Sequence, residues 1–183
     1  MSTRRVRVLV LGALVAALLV VVATPASAHV SITPSSARKG SFQVLSFNVP
    51  NEEPNANTVK LEVLLPTKYP IASVSTQPMY GWSTAVQKTK LAKPITTDDG
   101  QVTEAVTQIT WTATNGGLNP GEFDLFTIAA GPLPTKPNSL TFKAIQTYSD
   151  GTVVSWIQQT VKGAPEPDHP APTLKLTKSS SAH

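Results

Sequence analysis

Val59-Lys60-Leu61-Glu62-Val63-Leu64-Leu65 alternates apolar and charged residues along most of its length. Val59, Leu61, Val63 and Leu65 share one face while Lys60 and Glu62 share the other, the period of two that marks a strand with one wet side. The same alternation recurs further along the chain. Thr107, Ile109, Trp111 and Ala113 stand against Gln108, Thr110 and Thr112; Leu140, Phe142, Ala144 and Tyr148 stand against Thr141, Lys143 and Thr147. No segment keeps apolar residues at i, i+3, i+4 and i+7 for three turns, so helix has little support. Between the strands, Asp98-Asp99-Gly100, Asn115-Gly116-Gly117 and Asp150-Gly151 supply residues that tolerate positive φ in turns. The spacing predicts about nine strands, at roughly 30–34, 42–49, 58–65, 71–77, 82–89, 102–113, 123–130, 139–147 and 152–159. Half-buried antiparallel strands joined by regular turns give an all-β fold, an antiparallel two-sheet β-sandwich. Pro120 and Pro132-Leu133-Pro134 belong in loops or at sheet edges.

The two ends of the chain read differently from its middle. Arg4, Arg5 and Arg7 precede the apolar run Val8–Ala23, and Ala26-Ser27-Ala28 is a small-x-small cleavage site. Basic, apolar and cleavage regions in that order predict a secretory signal peptide over residues 1–28, removed after Ala28, and an extracytoplasmic or secreted product. The β-sandwich domain is expected over 29–161. From 162 to 183 the composition turns to proline and serine, which predicts a flexible tail without an apolar span, so no stable membrane span is expected in the mature chain.

Removing the leader also changes the charge. The full chain of 183 residues carries 15 Lys and Arg against 11 Asp and Glu. Without Arg4, Arg5 and Arg7 the balance is 12 against 11, or +1. A nearly neutral domain offers no electrostatic footprint for nucleic acid. Cysteine is absent, which excludes a disulfide scaffold, thiolate metal sites and a cysteine nucleophile. The three histidines are His29, His169 and His183, so the predicted domain has no internal histidine for a Ser-His-Asp triad. No Gly-x-Ser-x-Gly, P-loop or dinucleotide motif occurs either. Glu52-Glu53 lies in a Pro- and Asn-rich loop, and Glu122 and Asp124 read as a solvated strand start. These features point away from an enzyme.

One constellation with chemistry remains. Cleavage after Ala28 makes His29 the first residue, and its α-amine and Nδ1 can chelate one metal in a six-membered ring. The amine loses its proton to a metal at small cost near neutral pH. Two nitrogen donors in a fixed plane suit Cu(II). The plainer reading is that some residue must follow a signal peptide. His169, in the predicted tail, could visit the metal, but a solvated linker residue is the favoured reading. Of the tryptophans, Trp111 and Trp82 read as core; Trp156, beside Val153, Val154 and Ile157, is open to another role.

A set of motifs then carries a resemblance. His29-Val30-Ser31-Ile32-Thr33-Pro34, Val49-Pro50-Asn51-Glu52, Lys60-Leu61-Glu62-Val63 and Pro78-Met79-Tyr80-Gly81-Trp82 occur in order. Gly116-Gly117, Pro120-Gly121-Glu122-Phe123 and Asp150-Gly151-Thr152-Val153-Val154-Ser155-Trp156 complete it. Over about residues 29–160 the chain resembles the YcnI-type extracytoplasmic copper-binding domain family, formerly DUF1775. The resemblance implies an immunoglobulin- or cupredoxin-like sandwich that holds Cu(II) in a mono-histidine brace. On it, His29 supplies amine and imidazole, Glu52 (with Glu53 the competing neighbour) supplies carboxylate oxygen, and Trp156 lies close to the ion. An indole nitrogen has no free lone pair, so Trp156 would shield the ion and contact it through its ring.

The family setting implies copper uptake or homeostasis beside a CopD-like membrane copper transporter. Relatives commonly carry a C-terminal membrane helix, which the Ser179-Ser180-Ser181-Ala182-His183 ending does not continue. The expectation is a non-enzymatic copper chaperone or buffer; the alternative is a metal-free cell-surface interaction sandwich.

Overall fold

The structure, a computed structural model, describes residues 29–178. The predicted leader, the serine-rich ending and His183 lie outside the described residues. Twelve strands follow one another: β1 (Ser31–Thr33), β2 (Ser36–Arg38), β3 (Gln43–Pro50), β4 (Thr58–Leu64), β5 (Ser73–Thr76) and β6 (Trp82–Thr97). The second half of the chain gives β7 (Gly100–Ala113), β8 (Phe123–Gly131), β9 (Ser139–Thr141), β10 (Lys143–Tyr148), β11 (Val153–Trp156) and β12 (Thr173–Thr177).

Two antiparallel sheets make the sandwich, in the orders β1-β3-β8-β5 and β11-β10-β4-β7-β6. Their inner faces carry the alternating residues read from the sequence. Leu61 and Val63 of β4 and Ile109 and Trp111 of β7 are sealed against Leu45, Phe47, Phe126 and Ile128 of β3 and β8. Aromatic rings interlock across the gap: Phe126 meets the Trp111 ring at 5.4 Å and the Trp82 ring at 4.9 Å, both edge-on. Such edge-to-face pairs add direction to a core that apolar burial alone would leave free to slide.

The strands are more numerous than expected, for local reasons. The 139–147 run is divided at Phe142, whose N–H donates to Pro172 O at 2.9 Å. β9 on one side of the break joins β12, and β10 on the other joins β4. A third sheet, β2-β12-β9, results, with β12 parallel to β2 and antiparallel to β9. β12 lies inside the stretch expected to be a flexible tail, and that expectation does not describe it. Leu174 is 0% and Leu176 4% exposed in the common core, so apolar burial anchors residues 173–177.

The second difference is the length of the β6–β7 hairpin, which runs on to Thr97 and Gly100. Pro94 is accommodated because β6 is an edge strand and pairing breaks between Lys90 and Ile95. This outer arm is largely exposed on both faces, so it carries no apolar alternation to read.

Candidate functional site

β1 is paired with β3, Ser31 opposite Asn48 and Ile32 opposite Phe47. Continuing that register brings His29 to the end of β3 beside Pro50, where Val49-Pro50-Asn51-Glu52 turns out of the sheet. The apolar neighbours Val30 and Ile32 are buried and fasten this short edge strand to the core. His29 itself is half-buried, its side chain 23% exposed.

β11 comes to the same end of the sandwich from the opposing sheet. Trp156 pairs with Ala144, and Gln146 is its diagonal neighbour on β10. The Trp156 ring lies 5.8 Å from the His29 ring, tilted by 59°. Gln146 is fully buried and holds this arrangement in three directions. Its Oε1 accepts from Trp156 Nε1 at 3.1 Å, while its Nε2 donates to Pro50 O at 2.9 Å and to Thr58 Oγ1 at 2.8 Å. One buried amide thereby ties the tryptophan to the strand end beside His29. Buried polar groups persist only when matched in this way, and a full match fixes a unique arrangement.

Glu52 and Glu53 stand on the loop after β3, Glu52 exposed and Glu53 partly covered. Asn51 shapes the loop. Its Oδ1 accepts from the Glu53 N–H at 3.0 Å, and its Nδ2 donates to Ala56 O and Leu118 O. Both carboxylates act on Tyr148. Burial first, then the charges of Glu53 and Glu52, push its phenol up to about 12, against a hydrogen bond with Thr58. Two negative charges thus face the group that shares Thr58 with Gln146.

The segment after β11 contributes what sequence reading placed elsewhere. Residues 159–169 leave the sheet and return onto Gln158, a loop with closed ends. Gln158 N–H donates to His169 O at 3.1 Å, His169 N–H to Gln158 Oε1 at 2.7 Å, and Ala171 N–H to Gln158 O at 2.8 Å. His169 is therefore no solvated linker residue; its ring packs edge-on against Trp156 at 5.1 Å. On the same loop, Glu166 Oε1 lies 3.4 Å from His29 Nδ1. Rings on either hand and the sheet behind leave Trp156 4% exposed.

The structure thus brings His29 and Trp156 together and sets Glu52 on the loop leading away from the same strand end. Gln146 and Glu166 are the residues that sequence reasoning missed, and His169 is one it named but assigned to the solvated tail. For Gln146 a signal existed: it occupies an inward position between Ala144 and Tyr148, where an apolar residue is expected. Among the described residues, no group of three or more His, Cys, Asp or Glu side chains is spaced to hold a metal. A third donor at His29 would therefore come from beyond those side chains; cleavage after Ala28 would supply one as the α-amine. Trp156 Nε1 is committed as a donor to Gln146, which suits an indole that covers an ion and does not ligate it.

The family described as "Domain of unknown function (DUF1775)" matches residues 29–176, beginning at the histidine. The chain is 34% identical over 132 residues to the copper-binding protein CutI of Bacillus subtilis strain 168, a match covering 72% of this chain and 56% of that protein. The shared part is little more than half of that relative's length. A crystal structure of an uncharacterized protein from Nocardia farcinica, described as revealing an immunoglobulin-like fold, is 38% identical. It superposes with a TM-score of 0.65, covering 81% of this chain and 97% of that one.

Proposed function

This chain belongs to the DUF1775 family, and from that footing we propose that it is an extracytoplasmic Cu(II)-binding protein, a copper chaperone or buffer and not an enzyme. The observation that carries the reading is the pairing of His29, at which the family match begins, with the buried Trp156 ring. The name of the Bacillus subtilis relative supports copper as the cargo.

The proposed roles follow from the chemistry of each group. Removal of residues 1–28 frees the His29 amine, which with Nδ1 forms a planar pair of nitrogen donors suited to a tetragonal Cu(II) ion. Glu52 supplies carboxylate oxygen from the adjoining loop. Trp156 closes one side with its ring, excludes water and favours a cation through its π-face. Gln146 holds that ring in place. A half-buried site at a strand end, built on the first residue, can both take up and release its ion. Release to a CopD-like membrane copper transporter fits that exchangeability. No helix among the described residues is long and apolar enough to cross a membrane.

Cu(II) titration of the chain beginning at His29 tests the proposal. One tight site is expected in the parent, lost in His29→Ala and weakened in Glu52→Gln. An added alanine before His29 should abolish binding as well, because the peptide bond consumes the amine while the imidazole stays. Equal binding by all four proteins defeats the brace, and so does a mature protein whose mass begins at any other residue.

A further inference from the structure

We propose that the groove under the tip of the β6–β7 hairpin docks an extended peptide segment of a partner protein, acidic at one end, apolar in its middle and basic at the other. The groove lies at the end of β8 opposite to Phe123, and so away from His29; the inference does not depend on the copper site.

Beyond the break in β6–β7 pairing, the hairpin tip faces the body of the domain. The paired Ile95 and Val102, and Thr97 two residues on, are half-buried there. Beneath them lies a cavity of about 400 Å³ walled by Tyr69, Pro70, Leu133 and Pro134, a size within the ~300–1,000 Å³ of small-ligand sites. A second cavity of about 250 Å³ continues it past Ala72 and Pro132, which line both, to Phe42. The wall is held in place by the backbone: Gly40 N–H donates to Leu133 O and Leu133 N–H to Ser41 O, each at 2.9 Å. At the far end the Phe42 ring is 70% exposed, a large apolar surface left to water.

Charge is divided between the two ends. Lys68 and Lys136 border the first cavity, with Lys68 Nζ 5.6 Å from the centre of the Tyr69 ring. Asp98 and Asp99, at the hairpin tip, border the second. Among the described residues, none of these four takes part in a salt bridge. The complementary partner therefore carries carboxylates at the lysine end, cations at the aspartate end and apolar side chains between. An extended peptide lays these groups out in order along one line, at about 3.3 Å per residue. The backbone favours the same occupant. β5 and β6 border their sheets, so the groove opens where both sheets have amides and carbonyls that no further strand takes up. Added strands use such groups for affinity and side-chain pockets for specificity.

The test titrates the chain beginning at His29 into fluorescein-labelled peptides and reads fluorescence anisotropy. Two peptides hold the same residues in opposite orders, Glu-Glu-Val-Thr-Val-Lys-Lys and Lys-Lys-Val-Thr-Val-Glu-Glu, so that both chain directions are sampled. A third, Glu-Lys-Val-Thr-Val-Glu-Lys, has neutral ends. One ordered peptide is expected to bind about 10-fold more tightly than the mixed one, the sum of several exposed charge pairs. Reversing one charge in Lys68→Glu or Lys136→Glu should weaken that binding about fivefold. Lys162→Glu, on the loop beside His29, should match the parent. All three lysines are exposed, so the variants keep the parent's fold. Amide chemical shifts should move at Ala72, Ser73, Thr96 and Thr97 as the ordered peptide is added. Equal binding of the three peptides, no binding at millimolar concentration, or shifts centred elsewhere overturns the proposal. Full affinity in either Lys68→Glu or Lys136→Glu overturns it as well.

Discussion

Replacing Gln146 with methionine tests whether one buried amide holds the two halves of the site. The side chains are similar in size, so packing changes little while three hydrogen bonds disappear. Thr58 keeps its hydrogen bond with Tyr148. Pro50 O and Trp156 Nε1 lose the partner described here, and each unmatched buried group costs about 1–3 kcal/mol. Burying the apolar methionine returns about 1–2 kcal/mol. Two such groups together cost about 2–6 kcal/mol, so the net expectation is a loss centred on about 2–3 kcal/mol, which in a domain of this size lowers Tm by roughly 5–10 °C. Urea unfolding of parent and variant gives the difference directly. A double-mutant cycle with Trp156→Phe assigns its source, because phenylalanine has no N–H to orphan. In that background Gln146→Met should cost about 1–3 kcal/mol less. A cost below about 1 kcal/mol in the parent, or a coupling of zero, refutes the reasoning.

Two further predictions concern stability. Leu174→Ala should destabilise the domain by about 2–5 kcal/mol, because the side chain is 0% exposed in the shared core; an unchanged urea midpoint would mean that β12 adds nothing to the fold. Tyr148, pushed up to about 12 in the folded protein, holds its proton more tightly there than in the unfolded chain. Its contribution is present in full below the ordinary value near 10 and is lost as pH rises from about 10 to about 12. Tyr148→Phe should remove that alkaline decline and the last phenolate absorbance step, and persistence of both in the variant counts against the placement.

The parts of the fold that were legible are those with one buried and one wet face. Val59–Leu65 and Thr107–Ala113 alternate because their inner residues meet the opposite sheet, and Trp111 is core for that reason. The outer half of the β6–β7 hairpin is largely exposed, with only scattered residues such as Leu91, Ile95 and Val102 half-buried, and so leaves no regular pattern. β12 is a different case. Thr173-Leu174-Lys175-Leu176-Thr177 alternates clearly, yet the stretch is short and follows a proline-rich run that reads as disorder. At the candidate site, the expected cleavage after Ala28 draws attention to His29 and the Asp150–Trp156 motif to Trp156, and the structure sets these two rings side by side. Glu166 and His169 are not legible, because a loop that closes on Gln158 brings them there by a long-range return that no local spacing encodes.

β6 has a consequence of another kind. It borders its sheet with sixteen residues, and the outward side of that edge presents unpaired amides and carbonyls to solvent. Such an edge is a template on which further chains can add. Lys88, Lys90 and Lys93 repel an incoming copy, Pro94 lacks the N–H a new ladder needs, and the break in pairing disturbs its register. A variant that replaced the three lysines with threonine would keep the domain's folding energy and lose its resistance to strand-by-strand association at high concentration.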